Sequence, residues 1–86
     1  MKEKDTLAEV MKKEFSVRLG RRRNEMDLTQ EKAAELCGVT LREYQTWEQG
    51  KSLPGLPNAA RIRAAMGLSL DDLADEMTRA KETAMA

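Results

Sequence analysis

The sequence predicts an all-α protein, a compact bundle of about five short helices. Three observations point there. Ala, Leu and Met dominate the apolar residues, while aromatics make up only 3% of the 86 residues. Unbranched side chains of that kind lose little rotamer freedom in a helix. Thr6–Glu9, Thr40–Glu43 and Ser69–Asp72 each carry the hydroxyl-x-x-acid spacing of a helix start. Apolar residues recur at intervals of three and four, and no stretch reads as a strand.

The elements follow in order. Leu7, Val10, Met11, Phe15 and Leu19 form one helical face. Residues 7–26 fit either one long helix or two, and a break or bend before Phe15 is expected. Gly20 weakens the pattern without ending it. Residues 1–14 are read as an N-terminal extension, 15–80 as the main domain and 81–86 as a tail. Thr29 is a good N-cap for a helix over Gln30–Cys37, with Glu31 in its first turn. Gly38 supplies the positive φ that ends it. Thr40 caps a third helix that runs to about Gln49, closed by Gly50.

Lys51–Pro57 is a loop, and Pro57 suits the first turn of a fourth helix, where a missing N–H costs nothing. Leu56, Ala59, Ala60, Ile62 and Met66 are its expected apolar side, and Gly67 stops it. After Ser69, a fifth helix turns Leu73, Met77 and Ala80 inward, and the chain beyond Ala80 is expected to fray. Two short helices around Cys37-Gly38-Val39 have the helix-turn-helix arrangement.

Composition narrows the function. With 41% hydrophobic and 35% charged residues the chain reads as a soluble globular domain. The net charge is zero, which argues against a general nucleic-acid binder. Its distribution is uneven: Phe15 to Arg63 holds nine basic residues and six acidic, and the two ends hold the reverse imbalance. One cysteine and no histidine exclude an internal disulfide and a Cys/His zinc set. Cys37 and the methionines read as core, so neither metal nor cofactor is expected. No histidine base, phosphate-cradling glycine loop or nucleophile with a spaced partner suggests catalysis. No apolar run is long enough to span a membrane, and MKEKDTLAEV is too charged for a secretory signal, so a cytoplasmic protein is expected.

Within LREYQTWEQGK, Tyr44 and Trp47 lie three apart and share one helix face. Leu41, Arg42, Gln45 and Thr46 point elsewhere. That other face fits two readings, an ordinary solvated surface or a base-reading edge.

The stretch LTQEKAAELCGVTLREYQTWEQGKSLPGLPNAARIRAAMGLSLDDL resembles the Cro/C1-type, or XRE, family of helix-turn-helix proteins. Leu-Thr-Gln, the small Ala34, Gly-Val-Thr at Gly38, Trp47-Glu48-x-Gly-Lys and Gly-Leu-Ser occur in the family's order and spacing, from Leu19 to Leu73. The resemblance implies a lambda-repressor-like fold and sequence-specific binding of double-stranded DNA, as a homodimer, by a regulator or repressor. It places residues 40–49 in the major groove.

The resemblance implies base reading by Thr40, Leu41, Arg42 and Thr46, with Gln45 as a further candidate. Arg42 suits guanine O6 and N7, Leu41 a thymine methyl, and Thr46 a thymine methyl or a polar base edge. Gln30, Lys51, Arg21 and Arg22 are expected at phosphates, Gln30 because it opens a helix. Arg23 and Glu48 are expected to pair and orient, and Ala34, Gly38, Tyr44 and Trp47 to be structural. Three positions depart from the family pattern. Arg22 and Ala33 stand where leucines are usual, and Leu36 stands where a polar residue is, so Leu36 is expected to replace the volume missing at Ala33. The competing function is a protein-interaction module that kept the fold and lost strong DNA binding. The zero net charge, Glu43 on the third helix and the acidic ends favour that alternative. The apolar edge of the N-terminal extension, Leu7, Val10 and Met11, offers a docking site for a partner or a second copy but is expected to pack on its own core.

Overall fold

The computed structural model describes the backbone of residues 6–85 and the side chains of residues 6–79. Five helices follow one another: α1 (Thr6–Glu25), α2 (Gln30–Cys37), α3 (Leu41–Glu48), α4 (Leu56–Met66) and α5 (Leu70–Met85). The described residues contain no strand, so the all-α expectation holds.

The expected break before Phe15 is absent, and α1 runs unbroken for 20 residues. Nothing between Lys12 and Phe15 disrupts a helix, and two ion pairs reinforce the region. Lys12 meets Glu9 at 3.4 Å, and Arg18 meets Glu14 at 3.0 Å. Residues 6–14 therefore continue into α1, and residues 1–5 lie outside the described part. Phe15 and Leu19 are buried, whereas Val10 is 48% exposed, so the first turns of α1 overhang the core.

Capping chemistry sets the next boundaries. Thr29 Oγ1 accepts from Lys32 N at 3.1 Å, and Thr40 Oγ1 accepts from Glu43 N at 3.1 Å. Between them Gly38 adopts φ +72°, and Val39 N donates back to Ala34 O at 3.0 Å. That left-handed residue reverses the chain within three positions and sets the angle between α2 and α3. Pro57 lies in the first turn of α4, and Gly67 ends that helix at φ +70°. Ser69 Oγ accepts from Asp72 N at 3.3 Å at the start of α5. The helix then continues to Met85 instead of fraying after Ala80, whose side chain lies outside the described residues.

Phe15, Leu19, Ala33, Ala34, Cys37, Tyr44, Trp47, Ile62, Met66 and Leu73 form one core drawn from all five helices. α1 packs against α3 and α5, and α2 packs against α3 and α4. Two expectations fail here. Leu36 is 49% exposed and fills no gap. Ala33 and Ala34 are both buried in the core without it. On α4 Ile62 and Met66 are buried in the core with Ala65 packed against it, while Leu56 and Ala60 face solvent.

Candidate nucleic-acid interface

α3 is divided lengthwise. Tyr44 and Trp47 are buried, their rings edge to face with centroids 6.0 Å apart. Burial of two aromatics fixes the roll of this eight-residue helix about its own axis. That roll leaves Thr40, Arg42 and Glu43 exposed, with Leu41, Gln45 and Thr46 half-buried.

A polar chain locks α3 to α1 and α2. Arg23 Nε donates to Glu48 Oε2 at 2.6 Å, and Arg23 Nη2 to Glu48 Oε1 at 3.1 Å. Arg23 Nη1 also donates to Leu28 O at 2.9 Å, tying down the loop before α2. Gln30 Nε2 donates to the same Glu48 Oε1 at 3.2 Å, and Gln45 Nε2 donates to Gln30 Oε1 at 3.2 Å. Burial works to raise the Glu48 carboxyl, but the hydrogen bonds from Arg23 and Gln30 help hold it below the usual range. The Tyr44 hydroxyl is buried beside this pair without a hydrogen bond of good geometry. Burial first, and then the Glu48 carboxylate, push its ionisation far above the ordinary phenol range.

A shallow groove of about 390 Å³ runs between α3 and the start of α4, lined by Thr40, Arg42, Glu43, Thr46, Ser52 and Asn58 among others. Thr46 Oγ1 donates to Glu43 O at 2.7 Å and lies 3.0 Å from Ser52 Oγ. Glu43 Oε2 accepts from Asn58 Nδ2 at 3.1 Å, and Asn58 Oδ1 accepts from Arg61 Nη1 at 2.6 Å. The second half of the capping box, from Glu43 back to Thr40 N, is therefore replaced by a link to α4. Glu43, the acid that stands against a nucleic-acid role, stays exposed and lines the same groove as Arg42, bonded to Asn58.

The cations divide into two sets. Arg18 pairs with Glu14 and Glu76, Arg23 with Glu48, and Lys32 with Glu35. Arg22 Nε donates to Met66 O at 2.7 Å and Nη1 lies 3.5 Å from Glu25. A carbonyl at the end of α4 thus explains an arginine at a position where the family carries leucine. By contrast, Arg21, Arg42 and Lys51 are exposed and form no ion pair among the described residues. The structure brings Thr40, Arg42 and Thr46 to one groove and joins Gln30 to Gln45, but it directs Arg22 to α4. Ser52, Asn58 and Arg61 were not singled out in the sequence. They enter only through contacts across the α3–α4 loop, for which spacing gives no signal.

The helix-turn-helix family of the XRE, or Cro/C1, type matches residues 19–75, from the middle of α1 into α5. The chain belongs to this family. It is also similar to the cryptic phage CTXphi transcriptional repressor RstR of Vibrio cholerae serotype O1, strain ATCC 39315 / El Tor Inaba N16961. The two are 34% identical over 56 residues, which is 65% of this chain and 50% of the repressor. The chain spans about half the length of that curated relative. No solved structure matches significantly. Among the described residues, no helix is long and apolar enough to cross a membrane.

Proposed function

We propose that the protein is a sequence-specific double-stranded DNA-binding regulator, a repressor by its similarity to the phage repressor, that places α3 in the major groove. The observation that carries this reading is the outer edge of α3. Arg42 is exposed and unpaired there, while Tyr44 and Trp47 hold the opposite edge in the core. A major groove admits one helix, read from its N-terminal residues. Thr40, Leu41, Arg42 and Thr46 are the base-reading set. Gln45 retains Oε1 and one amide N–H beyond its bond to Gln30, so it can also meet a base edge.

Gln30 retains one amide N–H beside the N-terminus of α2, which suits a phosphate. Lys51 and Arg21 add unpaired charge, and Arg22 is the weakest member of the phosphate set because Met66 O holds its Nε. One short helix reads few base pairs, so the reading includes a homodimer on two half-sites roughly 34 Å apart. The alternative of a protein-interaction module rests on the zero net charge, the acidic ends and Glu43, which remains exposed beside Asn58. It keeps the exposed Val10 and Val17 on α1 as a surface for a protein partner.

Titration with selected and random duplexes tests the proposal. Tight binding to the selected duplex, weakening steeply with salt, is expected. Equally weak binding to every duplex contradicts it.

A further inference from the structure

Glu43 is an acid on the edge of α3 that is proposed to meet DNA. It is exposed, and it lines one groove with Thr40, Arg42 and Thr46. It follows the N-cap Thr40 by three residues, where a capping-box acid turns back to the N-cap N–H. Instead, Glu43 Oε2 accepts from Asn58 Nδ2 on α4 at 3.1 Å. Asn58 Oδ1 in turn accepts from Arg61 Nη1 at 2.6 Å. An arginine can only donate, so Arg61 fixes which end of the Asn58 amide faces Glu43. The amine end meets the carboxylate, and α4 thereby holds it in one place. No other hydrogen bond or ion pair engages the Glu43 side chain among the described residues, so Oε1 has no partner within them.

We propose that Glu43 reads a cytosine, next to the guanine that Arg42 reads from the same groove. The proposal rests on the placing of α3 in the major groove and names one base there. A carboxylate is acceptor-only, so it needs a donor on the base edge. Cytosine presents its N4 amine in the major groove. Guanine N7 and O6 and thymine O4 are acceptors and oppose a carboxylate. Adenine has an amine at N6, but the N7 acceptor beside it opposes the negative charge. Phosphates repel that charge on every duplex, so Glu43 lowers affinity in general, and only a cytosine amine offsets the loss. An untethered glutamate could swing away from the phosphates into water. The bond to Asn58 opposes that escape and keeps the acid in the groove, with Asn58 and Arg61 as its positioning residues.

Competition binding of the full chain tests this, on a duplex recovered by selection and on copies with each base pair exchanged in turn. One position is expected to prefer cytosine about tenfold or more. There, 2-pyrimidinone, which lacks the N4 amine, should lose the same factor with the wild-type protein. Glu43→Gln should reverse the preference. Asn58 can offer only its amine, so the new amide oxygen turns to Asn58 and its N–H faces the base. That variant should favour guanine or thymine at the position and bind random duplexes more tightly than the wild type. Asn58→Ala leaves the acid in place and should weaken the cytosine preference, with a thermal midpoint that shows the chain folded. Full affinity for the 2-pyrimidinone duplex overturns the proposal. So does an equal tightening of every duplex by Glu43→Gln, and in either case a base preference that Arg42→Ala still relaxes leaves the DNA-binding reading standing. Equally weak binding of the wild type to every duplex defeats that reading, and this proposal with it.

Discussion

Arg23 on α1 holds Glu48 on α3 with two nitrogens, at 2.6 and 3.1 Å, and only 9% of the Glu48 side chain remains exposed. Removing one partner of such a pair leaves a shielded charge unpaired, whereas removing both leaves none. Arg23→Met is therefore expected to cost about 3 kcal/mol of folding stability. The double variant Arg23→Met, Glu48→Leu should recover most of that loss. Urea unfolding of the two single variants and the double variant measures the coupling. Additive losses would show that the pair contributes little.

The same pair gives stability a defined pH dependence. The Glu48 carboxyl is lowered in the folded chain from an unfolded value of 4.5. Its contribution is therefore complete above the unfolded value and is lost as pH falls through the folded one. Thermal midpoints of the wild type and Glu48→Gln should differ most at neutral pH and converge in acid. A gap of constant size between neutral pH and acid would contradict the assignment.

Much of this architecture is legible because it is local. Thr40 and Ser69 cap helices as their spacing foretells and Thr29 as its residue type does, and Gly38 and Gly67 end helices in left-handed conformations. The aromatic edge of α3 follows from a three-residue interval. Long-range relations leave no such trace. Leu36 looks like core by type yet faces solvent, because α2 is rolled to bury Ala33, Ala34 and Cys37. Leu56 likewise reads as core, but α4 is rolled to bury Ile62 and Met66. The Gln45–Gln30–Glu48 chain and the Glu43–Asn58 link join residues at least 15 positions apart. Only the fold brings them together.

Thr46 has one hydroxyl proton, and Glu43 O takes it at 2.7 Å. Ser52 Oγ lies 3.0 Å from the same oxygen, so the hydroxyl is engaged within the protein and the methyl is the group the side chain has for a base. Thr46→Val should retain affinity for the preferred duplex, while Thr46→Ser should lose about 1 kcal/mol by losing the methyl contact. Deoxyuridine in place of the contacted thymine should erase the difference between the wild type and Thr46→Ser. Binding competition with both proteins on both duplexes checks this.

Arg42 and Lys51 separate specificity from affinity. Arg42→Ala should relax the preference at one base pair by roughly 1–3 kcal/mol. Lys51→Ala should weaken all duplexes alike and lower the salt slope by about one. Fluorescence anisotropy over a salt series with matched and mismatched duplexes distinguishes the two effects.

If the outer edge of α3 reads DNA sequence, selection of binding sites from random duplexes must recover what it reads. Enrichment of one short motif is expected, recurring as two half-sites about one helical turn apart. The motif should blur at one position for Arg42→Ala. A pool that stays random through successive rounds, with the protein folded throughout, would contradict a reading role for α3.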